Sequence, residues 1–209
     1  FDLINKLSPM RTFIIILHLG LILSTSSNVF AQDLAMTTNS KNPFYDYTET
    51  TLTNVGTIPD YDSKEDKLKI TGTIYLSDGV TPAKNVILYI EQPNEKGSYE
   101  MIKEGSKRYV HHRTWIKTNE NGQYTFFTFV PGKRLSSGKL KHIHPVVKEP
   151  KKEEYSLPAY IFDNDPKLSK ICRKRLKKQN INSILKLEKK EDIFIAKRDI
   201  VLSQTETVL

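Results

Sequence analysis

The sequence predicts an all-β fold, a two-sheet β-sandwich with one short basic helix after Asp165-Pro166. Three observations lead there. Short runs of β-branched and aromatic residues recur along the chain with Gly, Pro, Asn and Asp clusters between them, which is how a sandwich is punctuated. Ten Tyr and nine Phe supply core volume although only 38% of the 209 residues are hydrophobic, which excludes a wholly disordered chain. Helical spacing is confined to one segment.

The first segment is not part of that sandwich. Met10-Arg11 precede an apolar run over residues 13–23, a Ser/Thr/Asn stretch, and then Val29 and Ala31. A basic start, a short apolar centre and small side chains before the cut form the pattern of a secretory signal peptide, cleaved between Ala31 and Gln32. The run falls short of the roughly 20 apolar residues of a membrane span. Residues 1–31 are therefore read as upstream sequence and signal peptide. The protein is expected to be exported, periplasmic or extracellular, with no stable membrane anchor and no nucleic acid as partner. The single Cys172 excludes an intramolecular disulfide framework and a cysteine-based zinc cluster. A formal charge of +8 makes the chain basic without identifying a partner.

Residues 32–66 are polar, rich in Thr, Asn and Asp, and read as an extended lead-in; the sandwich is expected over 67–203, with a tail at 204–209. Leu68, Ile70, Gly72, Ile74 and Leu76 alternate with polar residues, the period of a strand. Ser77-Asp78-Gly79 reads as a tight hairpin turn leading to a second strand over 86–90. Residues 101–112 show no clear period. Residues 115–118, the turn 119–122 and residues 123–130 read as strand, turn, strand, closed by Pro131-Gly132. Further strands fall at 141–148, 158–162 and 194–202. Leu168, Ile171 and Leu176 lie near helical spacing, with Asp165 as cap and Pro166 in the first turn; the Lys and Arg on the other faces read as a solvated surface. Tyr124, Phe126 and Trp115 are expected in the core.

The chemistry concentrates at His142-Ile143-His144, because residues two apart on a strand share a face and two imidazoles can meet one metal. His111-His112, being adjacent, are expected on opposite faces of an extended chain and are not paired as ligands.

The order of motifs resembles the intradiol ring-cleavage dioxygenases. The resemblance runs through Ile70-Thr71-Gly72-Thr73-Ile74-Tyr75, Asp78-Gly79, Pro82-Ala83, Gly97-Ser98-Tyr99, Arg113, Gly122-Gln123-Tyr124-Thr125-Phe126, Pro131-Gly132 and His142-Ile143-His144. Phe162-Asp163-Asn164-Asp165-Pro166 and Arg198-Asp199-Ile200 resemble the end of exported bacterial members, so the likeness covers residues 68–202. It implies a non-haem Fe(III) cofactor held by Tyr99, His142 and His144, a hard cation suiting phenolate oxygen and accepting imidazole. It also implies Arg113 as a substrate-orienting catalytic residue alongside Tyr99, and a small aromatic diol and dioxygen as reactants. A second family tyrosine is missing: Lys133-Arg134 stand after the Pro-Gly turn, and a guanidinium, always protonated and without an acceptor, is no ligand. Tyr109 is a candidate substitute, though no spacing places it at the metal. The alternative is a non-catalytic exported sandwich resembling the carboxypeptidase regulatory domain, which shares the pattern over residues 70–126 but gives no reason for His142 and His144, or a decayed homologue.

Overall fold

The computed structural model describes residues 42–133, 139–179 and 181–203. The expected signal peptide, Arg134 and the tail at 204–209 lie outside them. The chain divides into two compact units, Phe1–Asp46 and Tyr47–Leu209. What is described of the first is a 3-10 turn, Pro43–Tyr45, capped by Asn42, whose side chain accepts from the Phe44 N–H at 3.0 Å.

The second unit is the β-sandwich. In chain order its strands are β1 (Val55–Thr57), β2 (Lys67–Tyr75), β3 (Ile87–Glu91), β4 (Met101–Glu104), β5 (Lys107–Val110), β6 (Arg113–Lys117), β7 (Gln123–Phe129), β8 (His142–Lys148), β9 (Glu154–Ser156) and β10 (Tyr160–Phe162). The helix α1 (Lys170–Lys178) follows, then β11 (Ile184–Leu185), β12 (Glu188–Lys190), β13 (Ile193–Lys197) and β14 (Ile200–Val201). One sheet has the order β1-β7-β2-β13-β12, with β14 also on β2; the other has β11-β10-β8-β3-β6, with β9 on β8. β4 and β5 form a separate hairpin.

Alternation along β2 buries Leu68, Ile70 and Ile74, and along β8 it buries Ile143 and Val147, so each sheet turns one apolar face to the other. These residues join Leu88, Ile90, Ile116, Tyr124 and Phe126 in one core cluster. The rings of Tyr124, Phe126 and Tyr160 stack through it at 6.3 and 6.2 Å between centroids. Tyr124 keeps its hydroxyl satisfied there by donating to the Arg198 carbonyl at 2.6 Å.

Four expectations need correction. Asp78-Gly79 does turn the chain, with Gly79 at φ 71 and the Asp78 carboxylate accepting from the Val80 and Thr81 N–H groups. Yet β2 and β3 belong to different sheets, so the reversal is no hairpin between them. The same holds for β6 and β7 across residues 119–122: turn residues dictate a reversal of direction, not which strand accepts the hydrogen bonds. The helix begins at Lys170 with Ser169 as its cap, its hydroxyl accepting from the Cys172 N–H. Asp165 instead lies buried before it and accepts from the Lys141 and Lys167 N–H groups, while Ile171 is 74% exposed. Trp115 is half-buried, its ring 5.2 Å from that of Tyr89.

Burial is the main cause that raises the phenols of Tyr89, Tyr99, Tyr124, Tyr155 and Tyr160 above their ordinary value. In the unfolded chain these groups ionise near pH 10. Above that pH the unfolded state holds fewer protons than the folded one, so stability is complete below about pH 10 and declines as pH rises through the folded values. Thermal melts followed by circular dichroism between pH 8 and 12 should show a falling Tm from about pH 10; a flat Tm to pH 12 contradicts it.

Candidate functional site

The site is built where β3 ends and β8 begins. After Glu91 the chain enters a loop that Asn94 folds back on itself. The Asn94 side-chain oxygen accepts from the Lys96 and Ser98 N–H groups at 3.0 and 3.1 Å, and its backbone N–H donates to the Ser98 carbonyl at 2.9 Å. Gly97 takes φ 77 in this turn. The loop is braced by Gly132, whose N–H donates to the Asn94 carbonyl at 3.0 Å and where a Cβ would stand 1.9 Å from the Glu95 carbonyl oxygen. This close approach explains the Pro131-Gly132 turn in structural terms and holds Tyr99 at the loop's exit.

Opposite stands β8. His142 and His144 are half-buried on one face of the strand, with Ile143 and Pro145 buried on the other. His142 Nδ1 lies 2.9 Å from the Leu140 carbonyl, which can only accept. Nδ1 therefore carries the proton, Nε2 presents a lone pair, and the Tyr99 hydroxyl donates to it at 3.0 Å. Burial, with the charge of Glu91 second, pushes the Tyr99 phenol up to about 12. At neutral pH the Tyr99 phenol therefore keeps its proton.

Tyr99 and His142 face a cavity of about 350 Å³, also lined by Pro93, Gly97, Ser98, Gly132, Lys133, Lys139 and Leu140. Among the described residues, His144 and Arg113 are not part of its lining. His144 Nε2 has a long contact of 3.5 Å with the Ser156 hydroxyl. The Arg113 guanidinium lies over the Tyr109 ring at 3.7 Å and over the Trp115 ring at 4.9 Å. Tyr109 thus serves as a platform for Arg113 and donates to Glu104 at 3.3 Å.

Two residues escaped the sequence reading. Glu91 is the register partner of His144 in β8 and of Arg113 in β6, and its carboxylate accepts from the Tyr89 hydroxyl at 2.9 Å. Only its place at the end of an apolar strand could have marked it. Asp60, in the lead-in, accepts from His111 Nε2 at 2.8 Å and lies 3.5 Å from His112 Nε2. The two imidazoles were expected on opposite faces, but the chain bends between β5 and β6, Arg113 N–H donating to the His111 carbonyl at 2.9 Å. Strand alternation does not apply at a bend, and the rings come to 4.9 Å.

The Tyr99–His142 pair suits a metal. Two ligands each about 2.0–2.2 Å from one ion stand roughly 3 Å apart, and an imidazole with Nδ1–H tied to a carbonyl is the usual orientation of a ligating histidine. Phenol oxygen and imidazole nitrogen are the donors a ferric ion accepts.

No protein-family model and no curated protein matches the sequence. Solved structures do match in fold. One is the dioxygenase domain of a dioxygenase–carbohydrate-binding protein fusion from Streptomyces sp. SirexAA-E, with TM-score 0.52 and 20% identity over 67% of this chain and 81% of that one. Another is an intradiol ring-cleavage dioxygenase from Tetranychus urticae, with TM-score 0.51 and 18% identity over 68% and 83%. A third is 3-chlorocatechol 1,2-dioxygenase from Rhodococcus opacus 1CP, with TM-score 0.51 and 22% identity over 69% of this chain and 63% of that one. The chain shares the fold of these dioxygenases.

Proposed function

We propose that the chain is an exported non-haem iron enzyme of the intradiol type, which opens a catecholic ring with dioxygen between its two hydroxylated carbons. The observation that carries this reading is the Tyr99 hydroxyl on His142 Nε2, with Nδ1 tied to the Leu140 carbonyl, at the wall of a cavity of about 350 Å³. That volume lies within the ordinary range of small-molecule sites.

Tyr99 and His142 would hold a ferric ion, with His144 turning from Ser156 to join them. Bound iron supplies a Lewis acid that polarises the diol and orients it towards dioxygen. The residues do the rest. Tyr99 gives up its proton as the ion arrives, so retention should strengthen with pH. Lys133 and Lys139 draw an anionic diol into the cavity, which favours a ring with an acidic substituent. The Leu140 carbonyl fixes the imidazole's orientation. Both oxygen atoms of dioxygen enter the diacid product, so no outside reductant is required.

One observation favours a non-catalytic sandwich instead: two lysines and no carboxylate stand among the described residues lining the cavity, and cations disfavour a trivalent ion. Iron loading separates the readings. Protein reconstituted with Fe(III) should show a visible tyrosinate-to-iron absorption band and consume oxygen with catechol, protocatechuate or hydroxyquinol. Colourless protein that consumes no oxygen sinks the enzyme reading.

A further inference from the structure

Asp60, His111 and His112 form a cluster separate from the Tyr99–His142 pair. One ligand atom from each lies within 4.8 Å of the other two. Asp60 precedes a 3-10 turn, Tyr61–Ser63, and sits in the left-handed region at φ 64, a conformation that Asp adopts more readily than most non-glycine residues. His111 is fixed by its N–H donating to the Glu100 carbonyl at 2.8 Å, and His112 by its carbonyl accepting from the Gln92 N–H at 3.1 Å.

The telling group is His112. It is 1% exposed, its ring is packed edge-on against Phe129 at 5.1 Å, and neither ring nitrogen has a hydrogen-bond partner among the described residues. A buried imidazole in that condition carries an uncompensated desolvation cost. Its Nε2 lies 3.5 Å from the Asp60 oxygen without a hydrogen bond to it. One cation between the three groups would occupy that nitrogen's lone pair.

We propose that Asp60, His111 and His112 bind a divalent cation of borderline softness, of which Zn2+ is the type. Two imidazole nitrogens and a carboxylate oxygen make the donor set such an ion prefers; tetrahedral ligands stand about 3.3 Å apart, while Asp60 stands 2.8 and 3.5 Å from the two imidazoles, whose ligand atoms lie within 4.8 Å of each other. His111 and Asp60 need to open by only a few tenths of an ångström. The half-exposed Asp60 gives the ion its entry and a water the fourth position. Lys64, a cation whose charge reaches Asp60 and His112, is paired with Glu95 at 2.9 Å, which lowers its opposition. The ion would clip the turn after β1 to the bend between β5 and β6, so its role is that of a structural staple.

Zn2+ titration of chelator-stripped full-length protein tests this, with Co2+ as a visible probe. The His142→Ala variant, which disables the other candidate centre, should still bind one equivalent. Adding Asp60→Asn or His111→Gln should weaken that binding by about 100-fold or more and abolish the Co2+ absorption. Saturating Zn2+ should raise Tm by about 5–10 °C in His142→Ala and leave the double variants unmoved. The proposal is overturned if His142→Ala binds no Zn2+, or if the double variants bind it with unchanged affinity. Neither result bears on whether Tyr99 and His142 hold iron.

Discussion

Gly72→Ala is expected to cost about 3 kcal/mol or more, a large fraction of the stability of an ordinary domain. A Cβ there would stand 1.8 Å from the Arg198 carbonyl oxygen, 2.7 Å from its carbon and 2.9 Å from the Tyr124 ring. The first two are backbone atoms and cannot swing aside. The same carbonyl accepts from the Tyr124 hydroxyl, and the Arg198 N–H donates to the Thr71 carbonyl at 2.9 Å. Making room for one methyl group therefore loosens β13 and β14 from β2 and unseats the aromatic stack. Urea denaturation measures it: a midpoint unchanged from the parent would show that the strands part at no cost.

Tyr99→Phe is expected to erase the visible band of iron-loaded protein and to weaken ferric retention by about 100-fold, while Tm stays within about 3 °C. The fold should survive because Tyr99 is 38% exposed and, among the described residues, its hydroxyl bonds only to His142, a partner that itself reaches the cavity. Iron content after gel filtration and the spectrum from 400 to 600 nm (about the range of phenolate charge transfer) read the two effects separately. A band of full intensity in Tyr99→Phe would assign the colour to another tyrosine.

Most of the sandwich was legible because burial follows period 2. Leu68, Ile70 and Ile74 announce β2, and Ile143 and Val147 announce β8 together with the side on which His142 and His144 stand. Pairing was not legible. Nothing local in Asp78-Gly79 or Asn119–Gly122 says that the next strand joins the opposite sheet. β1 is three residues long, too short for a period, and its place parallel to β7 is decided by that strand's free edge. The helix start was misread because Ser169 and Asp165 are both good caps; Asp165 was taken by the Lys141 and Lys167 N–H groups. At the candidate site Tyr99 and His142 were readable from motif order, whereas Asp60 meets His111 and His112 only through a bend that the sequence pattern did not mark.

At one end of the first sheet lies β12, whose Glu188, Lys189 and Lys190 are all exposed and whose only neighbour among the described residues is β13. Its outer N–H and C=O groups offer a template on which another chain could add a strand. Any molecule that tried would bring its own backbone against two ammonium groups, one of them lying over the Phe194 ring at 5.8 Å. Lysines on a rim repel a copy of themselves, so the sheet should stop growing there and fibrillar self-association from that side should be suppressed at low salt and return as salt screens the charges.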